Sequence, residues 1–191
     1  GIKVLEIEAP AKFDGLSTII NEKHPIIVLN KDFSSERKRF TAFHELGHIV
    51  LQFDDSIEEK EQQSLCNAFA NEMLIPQSAF VKQLGSSRHD ISYVELQSMQ
   101  KQFGISCDAL MFKAKDLGVI SEQRYQYYCI KKNKNRKFKE LVESSHYPME
   151  SSMRFERLVF RALSDALISY SKASSLLGKS LEMIRRKAAL V

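Results

Sequence analysis

Phe40-Thr41-Ala42-Phe43-His44-Glu45-Leu46-Gly47-His48-Ile49-Val50-Leu51 sets two histidines four residues apart, with a glutamate directly after the first. On a helix this spacing offsets the two imidazoles by only about 40° around the axis, so both project from one face. His44 and His48 can therefore grip one metal ion, which their nitrogen donors suggest is zinc. Glu45 stands where such sites keep the carboxylate that takes a proton from the attacking water. The bland alternative is an exposed helix that carries these residues by chance. The run around them is mostly apolar, however, and burying two imidazoles without partners is costly. Gly47 also interrupts the helix where Ala is better by about 1 kcal/mol, which implies that something approaches the backbone closely.

Outward from this stretch, the first half of the chain reads as strand, strand, then helices. Ile2 to Glu8 alternates apolar and charged residues, as a strand with one buried face does. Pro25-Ile-Ile-Val-Leu-Asn30 is a β-branched run that predicts a second strand. Between them, Phe13-Asp-Gly15 and Asn21-Glu-Lys-His-Pro25 read as turn punctuation. Ser34 or Ser35 caps the histidine helix, which is expected to run to about Phe53. A second helix passes through Cys66-Asn-Ala-Phe-Ala-Asn-Glu-Met-Leu-Ile75 and stops at Pro76. Gln77 to Leu84 reads as a short helix ended by Gly85, and Tyr93–Phe103 with Cys107–Leu117 as a helix pair joined by Gly104-Ile-Ser106. From Glu122 to Pro148 the chain is polar and basic, and its periodicity is the weakest. From Met153 two or three further helices follow, with breaks near Ile168-Ser-Tyr170 and at Gly178.

Composition sets broad limits. With 191 residues, 43% apolar and 27% charged, the chain can bury one good core and a smaller appended unit. No run reaches the 18 or so apolar residues of a membrane span, and no signal-peptide pattern opens the sequence. The chain begins Gly1-Ile-Lys-Val without a methionine, which reads as the remainder of a longer protein. Cys66, Cys107 and Cys129 are widely spaced and odd in number, so neither a disulfide framework nor a Cys-x-x-Cys metal site fits them. A reducing cytoplasm is the expected compartment. Net charge is only +4, but Lys131 to Lys139 concentrates six of the 28 basic residues, most simply as a solvated loop or helix end.

Two spaced motifs carry a family resemblance. Arg37-Lys-Arg-Phe-Thr41 leads into His44-Glu-Leu-Gly-His48, and Asn67-Ala-Phe-Ala-Asn-Glu-Met-Leu-Ile-Pro76 follows on the next helix. Together with the strand Pro25–Asn30, this order over residues 1 to about 120 resembles the ImmA/IrrE family of zinc metallopeptidases. Two early strand-like runs followed only by helix-like ones predict an α+β fold with a small N-terminal sheet and a mainly helical remainder, and the resemblance implies a zincin-like core. It implies a metallopeptidase core over 1–85, while the residue pattern itself marks a helix-turn-helix-like segment over 86–121 and, from the weakly periodic stretch at Glu122, a C-terminal helical segment over 122–191. The resemblance also implies an endopeptidase with a narrow substrate, often a helix-turn-helix repressor or antitoxin that partners the enzyme.

The sequence departs from the family at one chemically important place. The family's third zinc ligand is a glutamate four residues before the asparagine, and that position is Gln63. A carboxamide oxygen can still coordinate zinc, with weaker electrostatic attraction than a carboxylate. Glu59, one turn earlier on the same face, is an alternative. Glu61 and Glu72 lie about 200° and 180° away around the helix and face elsewhere if Gln63 faces the metal. Asn67, one turn after Gln63, is placed to hydrogen-bond a ligand histidine and fix its tautomer, a reading favoured over a bond to local backbone because Asn is mildly unfavourable in a helix middle. His24, His89 and His146 lie in polar surroundings and read as surface residues, with His89 or Tyr93 a weaker candidate to stabilise an oxyanion.

A non-enzymatic class competes with this reading. Val94 to Lys115 has the pattern of a helix-turn-helix, and Ile168 to Gly178 with the helix after it repeats the hint. Both patterns also suit hairpins that complete a core or bind a partner. The second helix of the first pair offers only Lys113 and Lys115 as cations, few for phosphate contacts, so DNA is the less expected partner.

Overall fold

The computed structural model describes residues 1–54 and 56–189. Three short strands open the chain: β1 (Lys3–Ile7), β2 (Gly15–Ile20) and β3 (His24–Asn30). They form one sheet in the order β1-β3-β2, with β1 parallel to β3 (Val4 opposite Ile27) and β2 antiparallel to it (Leu16 opposite Val28). β2 is the element that the sequence reading missed. Its Gly-Leu-Ser-Thr-Ile-Ile lacks a clean alternation, because a serine faces inward and two isoleucines adjoin. The turn signals at Asn21 and Glu22 are real, but they close a hairpin: both residues adopt positive φ, at 50° and 58°. Pro25 is tolerated in the central strand because it pairs only with Ile19, and the pairing to β1 starts one residue later at Ile26.

Ten helices follow among the described residues. The first is α1 (Ser35–Val50), whose Ser34 cap accepts a hydrogen bond from the Arg37 amide. It stops three residues short of the expected end, where Leu51 turns extended. Next come α2 (Glu59–Leu74), α3 (Gln77–Leu84), α4 (Tyr93–Phe103) and α5 (Cys107–Asp116). Pro76 both ends α2 and starts α3, and Ser92 with Glu95 forms a full capping box at α4. The basic stretch with weak periodicity folds as α6 (Glu122–Lys134) and α7 (Arg136–Glu143). Few apolar anchors were needed: Tyr128 and Val142 are buried in the main core, with Cys129 and Phe138 packed against it. The fold is thus α+β, a small N-terminal sheet followed by a mainly helical remainder.

The chain divides into two compact units, residues 1–150 and 151–191. In the first, α1 packs against β2, β3 and α2. Its Phe40 and Phe43 reach a core built from Leu74, Ile75, Phe80, Leu96, Ile105, Leu110 and Met111. The second unit holds α8 (Arg154–Ser164), α9 (Tyr170–Leu177) and α10 (Leu181–Ala188) around Val159, Ala173 and Ile184. Among the described residues no helix is long and apolar enough to cross a membrane.

Glu36, which the sequence shows only as a first-turn acid, is 2% exposed and ties distant parts of the first unit together. Its carboxylate accepts from Gln100 Nε2 (3.0 Å), Ser145 Oγ (2.8 Å) and the backbone amides of His146 and Tyr147 (both 3.3 Å). Removing it takes the shared acceptor from the buried Gln100 amide, from Ser145 and from two half-buried backbone amides at once, a cost of about 3 kcal/mol. Urea denaturation of Glu36→Ala is therefore expected to show that loss of stability. A loss under about 1 kcal/mol would contradict this role.

Candidate metal centre

The histidine helix and the helix after it meet at a glycine. A Cβ on Gly47 would lie 3.1 Å from Cys66 Sγ and 3.3 Å from Cys66 Cα. The absent side chain lets α2 lie this close against α1, which is the close approach that Gly47 implied. Cys66 is itself fully buried, and burial pushes its thiol above the usual range, with the Glu45 carboxylate adding to the shift. It fills space as a protonated side chain.

This close contact brings α2 side chains to the histidines. His44 Nδ1 lies 2.9 Å from Asn67 Oδ1, and His44 Nε2 lies 2.8 Å from Gln63 Oε1. His48 Nε2 is 3.2 Å from His44 Nε2, and the two rings meet edge to face at 4.9 Å. With the Asn67 oxygen accepting from Nδ1–H, the neutral imidazole of His44 presents a lone pair at Nε2. That lone pair faces the Gln63 oxygen and the His48 nitrogen. The three atoms converge on one point, where a cation would accept a lone pair from each. Tetrahedral zinc with Zn–N distances near 2.0–2.1 Å sets neighbouring ligands roughly 3.3–3.4 Å apart. The 3.2 Å between the two imidazole nitrogens is close to that edge, whereas the 2.8 Å from Gln63 Oε1 to His44 Nε2 is shorter by about 0.5 Å, so the amide would move outward to bind. The donor set of two nitrogens and an oxygen therefore fits a zinc ion.

Glu45 points to the sheet. Its Oε2 accepts from Ser17 Oγ at 2.7 Å, so β2 supplies the residue that fixes this carboxylate. Ser17 was missed because its strand was missed; its only sequence signal is a polar residue in an otherwise apolar run.

The other candidates lie apart from this cluster. Glu59 and Glu61 are exposed in the first turn of α2. Glu72 accepts from Lys113 Nζ (2.8 Å) and the Gln77 amide (2.9 Å). His24 and His89 are exposed. Tyr93 and His146 bond each other at 3.2 Å in a network with Gln97 and Ser144. Beside Asn67 opens a cleft of about 510 Å³, walled by Phe40, Phe112 and Tyr125 and bordered by Asn71, whose Oδ1 has no hydrogen-bond partner among the described residues.

Comparison with known proteins gives the same direction as this geometry. Residues 1–115 match the model of the Peptidase M78 family, the IrrE N-terminal-like domain. A relative, the radiation response metalloprotease IrrE of Deinococcus radiodurans, is 34% identical over a match covering 32% of this chain. That match spans 23% of the relative's own length. Through the family match over residues 1–115, this chain belongs to the IrrE N-terminal-like family of metallopeptidases.

Proposed function

We propose that the chain is a zinc-dependent endopeptidase that acts on a protein partner, expected to be a helix-turn-helix repressor or antitoxin. The observation that carries this reading is the convergence of His44 Nε2, His48 Nε2 and Gln63 Oε1, with Glu45 following His44 directly on α1. Family membership supports the hydrolytic class, and the relative's description as a metalloprotease agrees with it. The partner class rests on the family resemblance. Three free cysteines suit a reducing cytoplasm.

In this reading His44, His48 and Gln63 hold the ion. When bound, zinc acts as a Lewis acid that polarises the scissile carbonyl and makes a water acidic enough to attack. Glu45 takes the proton of that water. Ser17 donates to Oε2 alone, which orients the carboxylate and leaves Oε1 as the base. Glu45 then returns the proton to the leaving amine. Asn67 keeps His44 in the tautomer that offers Nε2. The aromatic cleft beside Asn67 can seat an apolar side chain of the substrate.

Glu45→Gln keeps the shape and both histidines but removes the base. Bound zinc is expected to persist while cleavage falls by roughly 10²-fold or more. Co-expression with a neighbouring helix-turn-helix regulator, followed on a gel, reads this directly. Unprocessed regulator with both wild type and variant would sink the proteolytic reading.

One observation favours a second reading, a zinc-stabilised module that acts by binding its partner: Gln63 contributes no charge where the family places a carboxylate. Gln63→Glu adds a negative charge next to the cation, so chelator competition is expected to show tighter zinc binding. Equal or weaker binding would show that Gln63 is not a ligand.

A further inference from the structure

Charge is divided unevenly between the two units. Residues 151–191 hold eight Lys and Arg against three Asp and Glu, whereas residues 1–150 hold 20 against 21. The basic character of the whole protein thus comes entirely from its last 41 residues. Those residues also form the more open of the two helix-turn-helix patterns.

In this unit α9 and α10 are joined by Gly178-Lys179-Ser180. Gly178 takes the left-handed conformation at φ 61°, and Ser180 caps α10 by accepting from the Met183 amide. Ala173 and Ile184 are fully buried and Val159 nearly so, which pins both helices to α8. Glu156 on α8 accepts from Lys179 Nζ (2.8 Å) and Lys187 Nζ (2.6 Å), fixing the turn and the end of α10. Two cations are used in that way. Arg157, Lys172, Arg185 and Arg186 are exposed and, among the described residues, have no ion-pair partner.

The earlier pair, α4 and α5, differs. Cys107, Leu110, Met111 and Ala114 of α5 are all fully buried. Lys113 is 4% exposed, its ammonium bonded to Asn71 O and Glu72. Lys115 lies over the Phe112 ring, 4.5 Å from its centroid. That helix buries five of its ten residues, whereas α10 buries only Ile184.

From this we infer that residues 151–191 form a helix-turn-helix that binds double-stranded DNA, with α10 in the major groove and Arg157, Lys172, Arg185 and Arg186 as its cationic contacts. A bare helix about 10–12 Å across fits the major groove of B-DNA, about 12 Å wide. The narrow major groove of A-form RNA does not admit it. Glu182, in the first turn of α10, is the one acid on that helix and can accept from a cytosine amino group. The inference does not rest on the proteolytic reading, because it uses no residue of the metal centre.

The test is fluorescence anisotropy of the full chain with a labelled mixed-sequence duplex of about three helical turns. Four phosphate contacts predict an affinity that falls on the order of 10²-fold between about 50 and 200 mM salt. The Arg185→Ala/Arg186→Ala protein is expected to bind about 10-fold or more weakly at the lower salt, with roughly half the salt slope. Both arginines are exposed and have no ion-pair partner among the described residues, so its thermal melt should match wild type. Lys137→Ala/Lys139→Ala, in the basic run of α7, and Glu45→Gln are expected to bind as wild type does. Absence of binding at low salt would overturn the inference. So would equal binding by the double arginine variant, or loss of binding in the α7 variant alone.

Discussion

The hydrogen bond between His44 Nδ1 and Asn67 Oδ1 is the interaction on which the rest of the site depends. It decides which ring nitrogen of His44 carries a proton, and so whether Nε2 offers a lone pair or a hydrogen. It forms only because α2 lies tight against α1, and the tight contact is set by Gly47 facing Cys66. A side chain at position 47 would push α2 outward by tenths of an ångström and carry Asn67 and Gln63 with it. The loss of helix propensity at this glycine, about 1 kcal/mol, is offset by the contact it permits. Fold and site are therefore the same constraint seen at two scales. The sheet enters through Ser17, which holds Glu45 from the opposite side.

Gln63 makes this centre differ from what the family pattern implies. The amide reaches the same place that a carboxylate would, since its oxygen lies 2.8 Å from His44 Nε2. Geometry is kept and charge is lost. Two neutral imidazoles and a neutral amide leave the full charge of a divalent ion to be balanced by Glu45 and by whatever occupies the open position. The nearby acids do not make up the difference. Glu59 is exposed, and Glu72 is held by Lys113. In the proposed centre the ion would be held by geometry more than by charge.

Much of this was legible in the sequence. The i, i+4 histidines, the interrupting glycine and the second helix ending at Pro76 each follow from helical spacing or backbone chemistry. Both short strands that flank the site region were readable from alternation and β-branching. β2 was not, because its inward serine breaks the apolar pattern, and with it went Ser17. α6 and α7 were obscured for the opposite reason. Their charged surfaces dominate the sequence, while Tyr128 and Val142 supply the burial that holds them. Glu36 illustrates a third limit. Its partners at positions 100, 145, 146 and 147 are distant in sequence, and no local pattern announces a buried carboxylate.

Zinc K-edge absorption spectroscopy of the purified protein tests the central claim most directly. The account predicts one zinc per chain whose neighbours are only nitrogen and oxygen, at about 2.0–2.1 Å, with the outer-shell signature of two imidazoles. A sulfur neighbour near 2.3 Å, or a protein that takes up no zinc, would contradict it.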